Sequence, residues 1–188
     1  MNIANKISTF RILSVPFFIA CLIYYLPGRE PLRYLALGIF VLGAISDGLD
    51  GYIARKGKMQ SYAGTILDPL GDKLLLMSAF IFLSPLCRLP LTFPFWLSFI
   101  VISRDLILIL GAIVIYMVKQ NLHVQPTRWG KLTTTFQMLA VICVLSQFRL
   151  LAVATWCLAL IFTVISGLDY IMRGFKVLYA NDNHRSAN

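Results

Sequence analysis

Charged residues are scarce in this sequence, and acidic residues are the scarcest of them. Only 13% of the 188 residues are charged, and only eight are Asp or Glu. Soluble globular domains carry about 25% charged residues. Because 59% of the residues are hydrophobic and the mean hydropathy is clearly positive, the composition excludes an ordinary soluble domain.

Cysteine is also sparse, and several other patterns are missing. The four cysteines are widely spaced within apolar runs, which gives neither a disulfide framework nor a cysteine metal site. No basic stretch is interleaved with aromatic residues, so we expect no nucleic-acid partner. The sequence has no internal repeat and no low-complexity segment, which excludes a solenoid or a fibrous protein.

Long hydrophobic runs are what the sequence has in abundance. The runs are continuous instead of alternating, which favours helices over barrel strands. A helix needs about 20 residues to cross a bilayer, and most runs approach that length. We therefore predict an all-α polytopic membrane protein with six transmembrane helices, in a single domain over 1–180 with a polar, disordered tail over 181–188. The six runs are approximately 12–26, 32–53, 70–86, 95–118, 132–146 and 150–172.

Positive residues divide unequally between the alternate loops of this topology. One side holds twelve Lys and Arg residues and the other holds four, with Arg104 inside the fourth run. Because positive residues accumulate on the cytoplasmic side, both termini are predicted to lie in the cytoplasm, in a multi-pass protein of the cell inner (plasma) membrane. The net charge of +9 then suits anionic membrane lipids and phosphorylated substrates.

Half of the acidic residues fall in one short segment beside these runs. Asp47, Asp50, Asp68 and Asp72 lie within 26 positions, and spacings of three and four place each pair on one helix face. At a separation of ~6 Å and an effective dielectric constant of ~20, two ionised carboxylates repel by about 3 kcal/mol. Such a cluster needs cations. Oxygen-only ligands favour two hard divalent ions, Mg²⁺ or Mn²⁺, at a site on the cytoplasmic membrane face.

Small residues and one arginine accompany the first pair of acids. The small side chains permit close approach of another helix or of a flat ligand. Arg55, one turn past Gly51, offers a planar donor fork to a phosphate. An acidic ion-pair belt between helices is the structural alternative, but it explains neither the glycines nor the shortage of basic partners. The small residues are Gly43, Ala44, Gly48, Gly51 and Ala54.

The segment from Asp47 to Asp72 resembles the signature of the CDP-alcohol phosphotransferase family. It reads Asp-x2-Asp-Gly-x2-Ala-Arg-x8-Gly-x3-Asp-x3-Asp, and all eight fixed positions match. Members of this family are membrane enzymes that move a substituted phosphate from a CDP-alcohol to an acceptor hydroxyl. The resemblance implies that Asp47 and Asp68 bridge two metals, that Asp50 binds one of them, and that Asp72 binds the other and accepts the proton of the acceptor.

The same resemblance implies a nucleotide site and an acceptor site. At the first helix the alternatives are helix capping by Ser8 or Thr9 and membrane anchoring by Arg11. For the acceptor site the alternative is simple positive-inside anchoring. The residues implied at the CDP moiety are Gly51, Arg55, Ala54, Gly64, Ser61, Asn5, Ser8, Thr9 and Arg11. The acceptor-binding candidates are Arg128, Lys131, Arg173 and Arg104.

Arg104 and Asp105 lie about ten residues into the fourth run, which predicts a position near the bilayer midplane. Ionisable residues inside a membrane are functional candidates by default. Consecutive residues point in different directions on a helix, however, and Asp169 on the sixth run is available to pair with Arg104. We therefore interpret Arg104 as structural, with acceptor binding as the alternative.

The identity of the acceptor stays open at this stage. The chain is similar to family members that transfer a phosphatidyl group from CDP-diacylglycerol to glycerol 3-phosphate and release CMP. Asp105 departs from the Glu usual in those members, and is more similar to members that form cardiolipin from phosphatidylglycerol. The resemblance also implies a homodimer. A metal or ion transporter is the alternative from another class, but it predicts acids near the midplane of the membrane.

Overall fold

Every regular element in the described part of the chain is an α-helix. The computed structural model describes residues 3–28, 30–56, 73–119 and 128–185, and it describes side chains over 9–28, 30–46, 73–111 and 129–172. The prediction of an all-α fold is confirmed for these residues. The helices are α1 (Ile3–Ile23), α2 (Glu30–Lys56), α3 (Lys73–Phe82), α4 (Phe95–Lys119), α5 (Arg128–Leu145) and α6 (Arg149–Arg185).

The helices pack as a set of neighbouring pairs. Helix α1 packs against α2, α2 against α5, and α6 against both α5 and α4. Aromatic rings tie the loop after α3 into this arrangement, because Phe93 stacks on Phe80 at 4.6 Å and lies 6.3 Å from Trp156 of α6. The Phe93 amide also donates to the Leu83 carbonyl at 2.8 Å, which closes the loop on itself.

The turn between α1 and α2 follows from its residue types. Gly28 has φ of 96°, a backbone conformation that other residues rarely adopt. Glu30 and Pro31 then begin α2, where an acidic side chain and a fixed φ both favour the first helical turn. The Arg33 guanidinium donates to Glu30 at 2.9 Å across one turn of the helix.

Several helix boundaries differ from the sequence predictions. Helix α3 ends at Phe82 instead of reaching 86, because Pro85 disfavours a helical conformation at the residue before it. Helix α1 ends at Ile23 instead of reaching 26. It begins at Ile3, so Ser8 and Thr9 lie inside the helix. The expectation that one of them caps it is wrong, because a capping residue needs a non-helical backbone.

Helix α6 is the longest element, with 37 residues. Its segment Arg149–Met172 is the one helical stretch in the described part of the chain that is both long and apolar enough to cross a membrane. The helix continues to Arg185 and so includes the first part of 181–188, where polarity predicted a disordered tail. No proline or glycine interrupts the chain there, and the domain boundary at 180 stays a prediction.

Large apolar side chains lie on the outside of the described helices as well as in their core, and several polar side chains are buried. Large apolar side chains such as Phe17 (66% exposed) and Leu150 (84% exposed) cover the outside. Arg11, Asp105 and Gln137 are buried with at most 2% exposure. Lipid is the surrounding in which exposed apolar surface of this extent is stable.

Candidate active site

Helices α2 and α3 approach each other closely where Gly43 faces Leu75. A methyl group at position 43 would collide with the Leu75 Cδ2 atom, so glycine lets the Leu75 side chain lie directly against the α2 backbone. Asp47 follows Gly43 by one helical turn on α2, and Leu75 follows Asp72 by three positions in the chain. The two halves of the aspartate motif are therefore joined to neighbouring helices, in agreement with the expectation that small residues permit close helix packing.

The structure describes the predicted site residues to different extents. The backbone of α2 carries Asp47, Asp50, Gly51, Ala54 and Arg55 within its last three turns. Among the described side chains no group of three potential metal ligands occurs. The predicted residues Ser61, Gly64, Asp68 and Asp72 lie outside the described residues, and the side chains of Asn5, Ser8, Asp47, Asp50, Arg55, Arg128 and Arg173 lie outside the described side chains.

Arg11 occupies the space where α1, α2 and α3 meet. Its side chain is only 2% exposed. It lines a small cavity with Gly43 and Ala44 of α2, Leu75 of α3 and Met138 of α5. A membrane anchor at the headgroups would be solvated, so the anchoring alternative for Arg11 is wrong. The residue contributes a positive charge to the interior, about one helical turn below Asp47.

Arg104 and Asp105 belong to an ion-pair network that spans three helices. Asp105 is fully buried, and its Oδ1 accepts from Arg104 Nη1 and from Lys73 Nζ, each at 2.6 Å. Arg104 Nη2 donates to Ser166 Oγ on α6 at 2.5 Å. The network thus joins the described start of α3 to the middle of α4 and to α6.

This network corrects one sequence expectation and supports another. Although consecutive helix positions diverge, the long Arg104 side chain reaches back to the Asp105 carboxylate. Arg104 is held by Asp105 and Ser166 and is 7% exposed, which supports the structural interpretation over acceptor binding. Asp105 also contacts Lys73, which directly follows Asp72 in the chain. The pair of Arg104 and Asp105 at the middle of α4 is therefore linked to the end of the aspartate motif.

Lys73 is the residue that sequence reasoning missed. It was counted only as a cytoplasmic positive charge, yet its ammonium group pairs with a carboxylate 32 positions away. Two signals in the sequence pointed to it. A lysine follows the last aspartate of the motif, and an unexplained acid lies in the next apolar run. Matching the two requires the helix contacts, which the sequence does not supply.

The start of α5 carries the described part of the predicted acceptor site. Lys131 has an exposed side chain, and its carbonyl accepts from the hydroxyls of Thr134 at 2.9 Å and Thr135 at 3.0 Å. Thr133 instead faces inward and donates to the Phe162 carbonyl at 2.9 Å, which fixes α5 on α6. Lys131 is thus free to extend from a firmly packed helix.

A family model described as CDP-alcohol phosphatidyltransferase matches residues 1–165 of this chain. The chain belongs to the CDP-alcohol phosphatidyltransferase family. It is therefore an enzyme, a phosphatidyltransferase, and the resemblance inferred from the aspartate motif is confirmed. The match covers α1 to α5 and most of the apolar segment of α6.

Curated relatives match more than nine-tenths of this phosphatidyltransferase. A protein of Mycobacterium tuberculosis named "Probable phosphatidylglycerophosphate synthase" is 33% identical over 180 residues, covering 93% of this chain and 82% of the relative. Proteins of Aquifex aeolicus and Bacillus subtilis are both named CDP-diacylglycerol--glycerol-3-phosphate 3-phosphatidyltransferase. The first is 31% identical over 95% of this chain and 99% of its own length. The second is 30% identical over 94% and 97%.

Proposed function

We propose that this phosphatidyltransferase moves the phosphatidyl group of CDP-diacylglycerol to the hydroxyl of glycerol 3-phosphate, giving phosphatidylglycerophosphate and CMP. The observation that carries the proposal is the intact aspartate signature in a chain whose full-length relatives are named for this reaction. The product places the enzyme in phospholipid biosynthesis.

The four aspartates would hold two divalent cations, Mg²⁺ or Mn²⁺. Their chemistry fits, because carboxylate oxygens are the ligands that these hard ions prefer. The fold also fits, because the contact between Gly43 and Leu75 joins the segments that carry Asp47 and Asp72. When bound, the cations neutralise charge on the phosphoanhydride and on the leaving CMP.

The residues of the chain then bind the donor and move one proton. Gly51 and Arg55 hold the CDP moiety, assisted by Arg11 from the interior. The acceptor oxygen forms a bond to the phosphorus of the phosphatidyl group as the bond from that phosphorus to CMP breaks. Asp72 takes the proton of the acceptor hydroxyl. Further contacts to the donor come from Asn5, Ser8, Thr9, Ala54, Ser61 and Gly64.

The contacts of Asp105 favour glycerol 3-phosphate over phosphatidylglycerol as the acceptor. That residue was the sequence feature that pointed to a lipid acceptor, but its carboxylate is fully buried and engaged by Lys73 and Arg104. Asp105 therefore stabilises the packing of the helices, and its identity does not indicate which acceptor is used. The exposed Lys131, with Arg128 at the start of α5 and Arg173 in the last third of α6, supplies positive charge for a small dianion.

We further propose that all six helices cross the inner membrane, with both termini and the active site on the cytoplasmic side. The 27 residues of α2 and 25 residues of α4 span about 40 and 37 Å, enough for the hydrocarbon core. The positive-residue asymmetry sets the orientation. Residues 1–180 form one domain, and two copies form a homodimer, as the family resemblance implies.

Product analysis with both acceptors tests the proposed reaction. Purified protein receives labelled CDP-diacylglycerol and Mg²⁺ with glycerol 3-phosphate and phosphatidylglycerol together, and the lipids are separated. We expect phosphatidylglycerophosphate and an equal amount of CMP. Formation of cardiolipin alone would overturn the choice of acceptor. Metal-dependent transport without CMP release would favour the transporter alternative.

Asp72→Asn is the matched variant for this assay. It keeps the shape of the side chain but removes the group that takes the proton, so we expect CMP release to fall by at least about 10²-fold. Glu30→Gln is the control, because Glu30 is an exposed carboxylate at the opposite end of α2. Near-normal turnover by a folded Asp72→Asn variant would remove Asp72 from its proposed role.

A further inference from the structure

Lys73 and Asp105 form a buried ion pair that the proposed reaction does not use. The Lys73 side chain is 22% exposed, the Asp105 side chain is 1% exposed, and their charged atoms lie 2.6 Å apart. The pair is held in one geometry, because separating the charges would leave the largely buried Lys73 ammonium group without its carboxylate partner. The contact therefore fixes the described start of α3 against the middle of α4.

The Asp105 end of this pair is itself held in place. Its Oδ1 also accepts from Arg104, and Arg104 donates to Ser166 on α6. The position of the Lys73 ammonium group is thus fixed by contacts with α4 and, through Arg104, with α6.

We propose that Lys73 and Asp105 are positioning residues that set the end of the aspartate motif for metal binding. Lys73 directly follows Asp72 in the chain, so the contact that fixes Lys73 restrains the metal-binding segment at its last ligand. The inference rests on the proposed function, in which Asp72 is a metal ligand. Neither residue touches the substrate in this role.

The positive charge of Lys73 and its restraint on the metal site predict opposite changes in metal affinity when Lys73 is lost. A lysine beside a metal site repels cations, so removal of its charge alone strengthens metal binding. Loss of the restraint weakens metal binding, because the last carboxylate is no longer held in place. The direction of the change in metal affinity therefore separates the two effects.

Lys73→Met is the decisive variant because it leaves no unpaired buried charge. Asp105 keeps its contact with Arg104 when the lysine is lost, so the protein should fold. Mn²⁺ binding to purified protein is measured by the loss of the free-ion electron paramagnetic resonance signal, which requires no turnover. We expect the dissociation constant for Mn²⁺ to rise about tenfold. Lys73→Arg, which preserves the pair, should stay within about twofold of the wild type.

A kinetic readout and a control variant complete the test. The Mg²⁺ concentration for half-maximal CMP release should rise with the Mn²⁺ dissociation constant, whereas the KM for CDP-diacylglycerol should change less. Thr163→Val breaks a buried contact between α5 and α6 outside the network, and it should lower thermal stability without changing Mn²⁺ affinity. The double variant Lys73→Met/Asp105→Asn should bind Mn²⁺ as weakly as Lys73→Met.

Two results would overturn the inference. Unchanged or tighter Mn²⁺ binding by folded Lys73→Met would show that the pair does not restrain the metal site. Wild-type affinity in the double variant would show the same. A failure of the proposed reaction looks different, because a wild-type protein that ignores glycerol 3-phosphate but binds Mn²⁺ leaves the comparison of dissociation constants intact.

Discussion

Gly43 shows how a single missing side chain permits the contact between α2 and α3. A Cβ atom at this position would collide with Leu75, which is 4% exposed and has little room to move. Extra atoms in a packed interior cost typically 1–3 kcal/mol. The residue is one turn from Asp47, so strain at this point bears directly on the proposed metal site.

Gly43→Ala should therefore lower both stability and activity. We expect a loss of about 1–3 kcal/mol in the free energy of unfolding, measured by denaturant titration in detergent, with a parallel loss of CMP release. Gly38→Ala is the matched control on the same helix, because a Cβ atom there meets nothing within 4 Å. An equal effect of both substitutions would mean that helix propensity, and not the contact with Leu75, explains the result.

At the residue scale, the sequence predicted the chemical roles of side chains better than it predicted which side chains contact each other. The spacing of the aspartates predicted a metal site, their motif resembles the signature of a known family, and that family is confirmed. The role of Arg11 could not be decided, because a positive residue near a helix start is equally typical of an anchor, and only its burial excludes that role. The pair of Lys73 and Asp105 joins positions 32 residues apart, and no local pattern encodes such a contact.

At the element scale, α4 and α6 meet through another glycine. A Cβ atom at Gly111 would lie 2.6 Å from the Tyr170 hydroxyl oxygen and 2.8 Å from its Cε1. The Tyr170 hydroxyl donates to the Leu108 carbonyl on α4 at 3.3 Å. Tyr170 and Leu108 line a groove of about 190 Å³ between α4 and α6, and Arg104 lines the same groove. The packing of Tyr170 on α4 therefore sets the distance between the two helices beside the ion-pair network.

Gly111→Ala should push Tyr170 away from α4 and loosen this helix pair. We expect a fall in the melting temperature of the detergent-solubilised protein, because the added methyl group displaces the Tyr170 ring and breaks its hydrogen bond to the Leu108 carbonyl. Gly167→Ala is the control on the facing helix, since its Cβ atom would meet Arg104 Cγ at an ordinary 3.7 Å. A larger fall for Gly167→Ala than for Gly111→Ala would contradict this account.

Helix existence was predictable from hydrophobic runs, but several helix ends were not. All six apolar runs contain a helix in the described part of the chain. Hydropathy continues across Pro85, whereas α3 ends before it, so backbone restriction and not polarity sets this end. Helix α1 reaches back to Ile3 and α6 reaches forward to Arg185, because polar residues are compatible with helix beyond the apolar segment.

At the scale of the whole molecule, the exposed apolar surface is the strongest argument for membrane embedding. Phe99 is 65% exposed on α4 and Leu42 is 57% exposed on α2, while Asp105 and Gln137 are fully buried. Only α6 meets the length and composition required of a spanning helix among the described residues. Helices α1, α3 and α5 have apolar stretches of 10–17 residues within the described residues, and the buried polar residues of α4 face inward, away from lipid.

Cysteine labelling tests whether α4 crosses the membrane, which decides the proposed topology. Arg88 lies in the loop before α4, Lys131 lies at the start of α5, and both side chains are exposed. In a variant with the four natural cysteines replaced, Arg88→Cys should react with an impermeant maleimide added outside intact spheroplasts. Lys131→Cys should react only after permeabilisation, because one span separates it from Arg88. Labelling of both positions from the same side would show that α4 does not cross the membrane. The loop between α3 and α4 would then lie on the same side as Lys131, which contradicts the charge asymmetry used to place the active site in the cytoplasm.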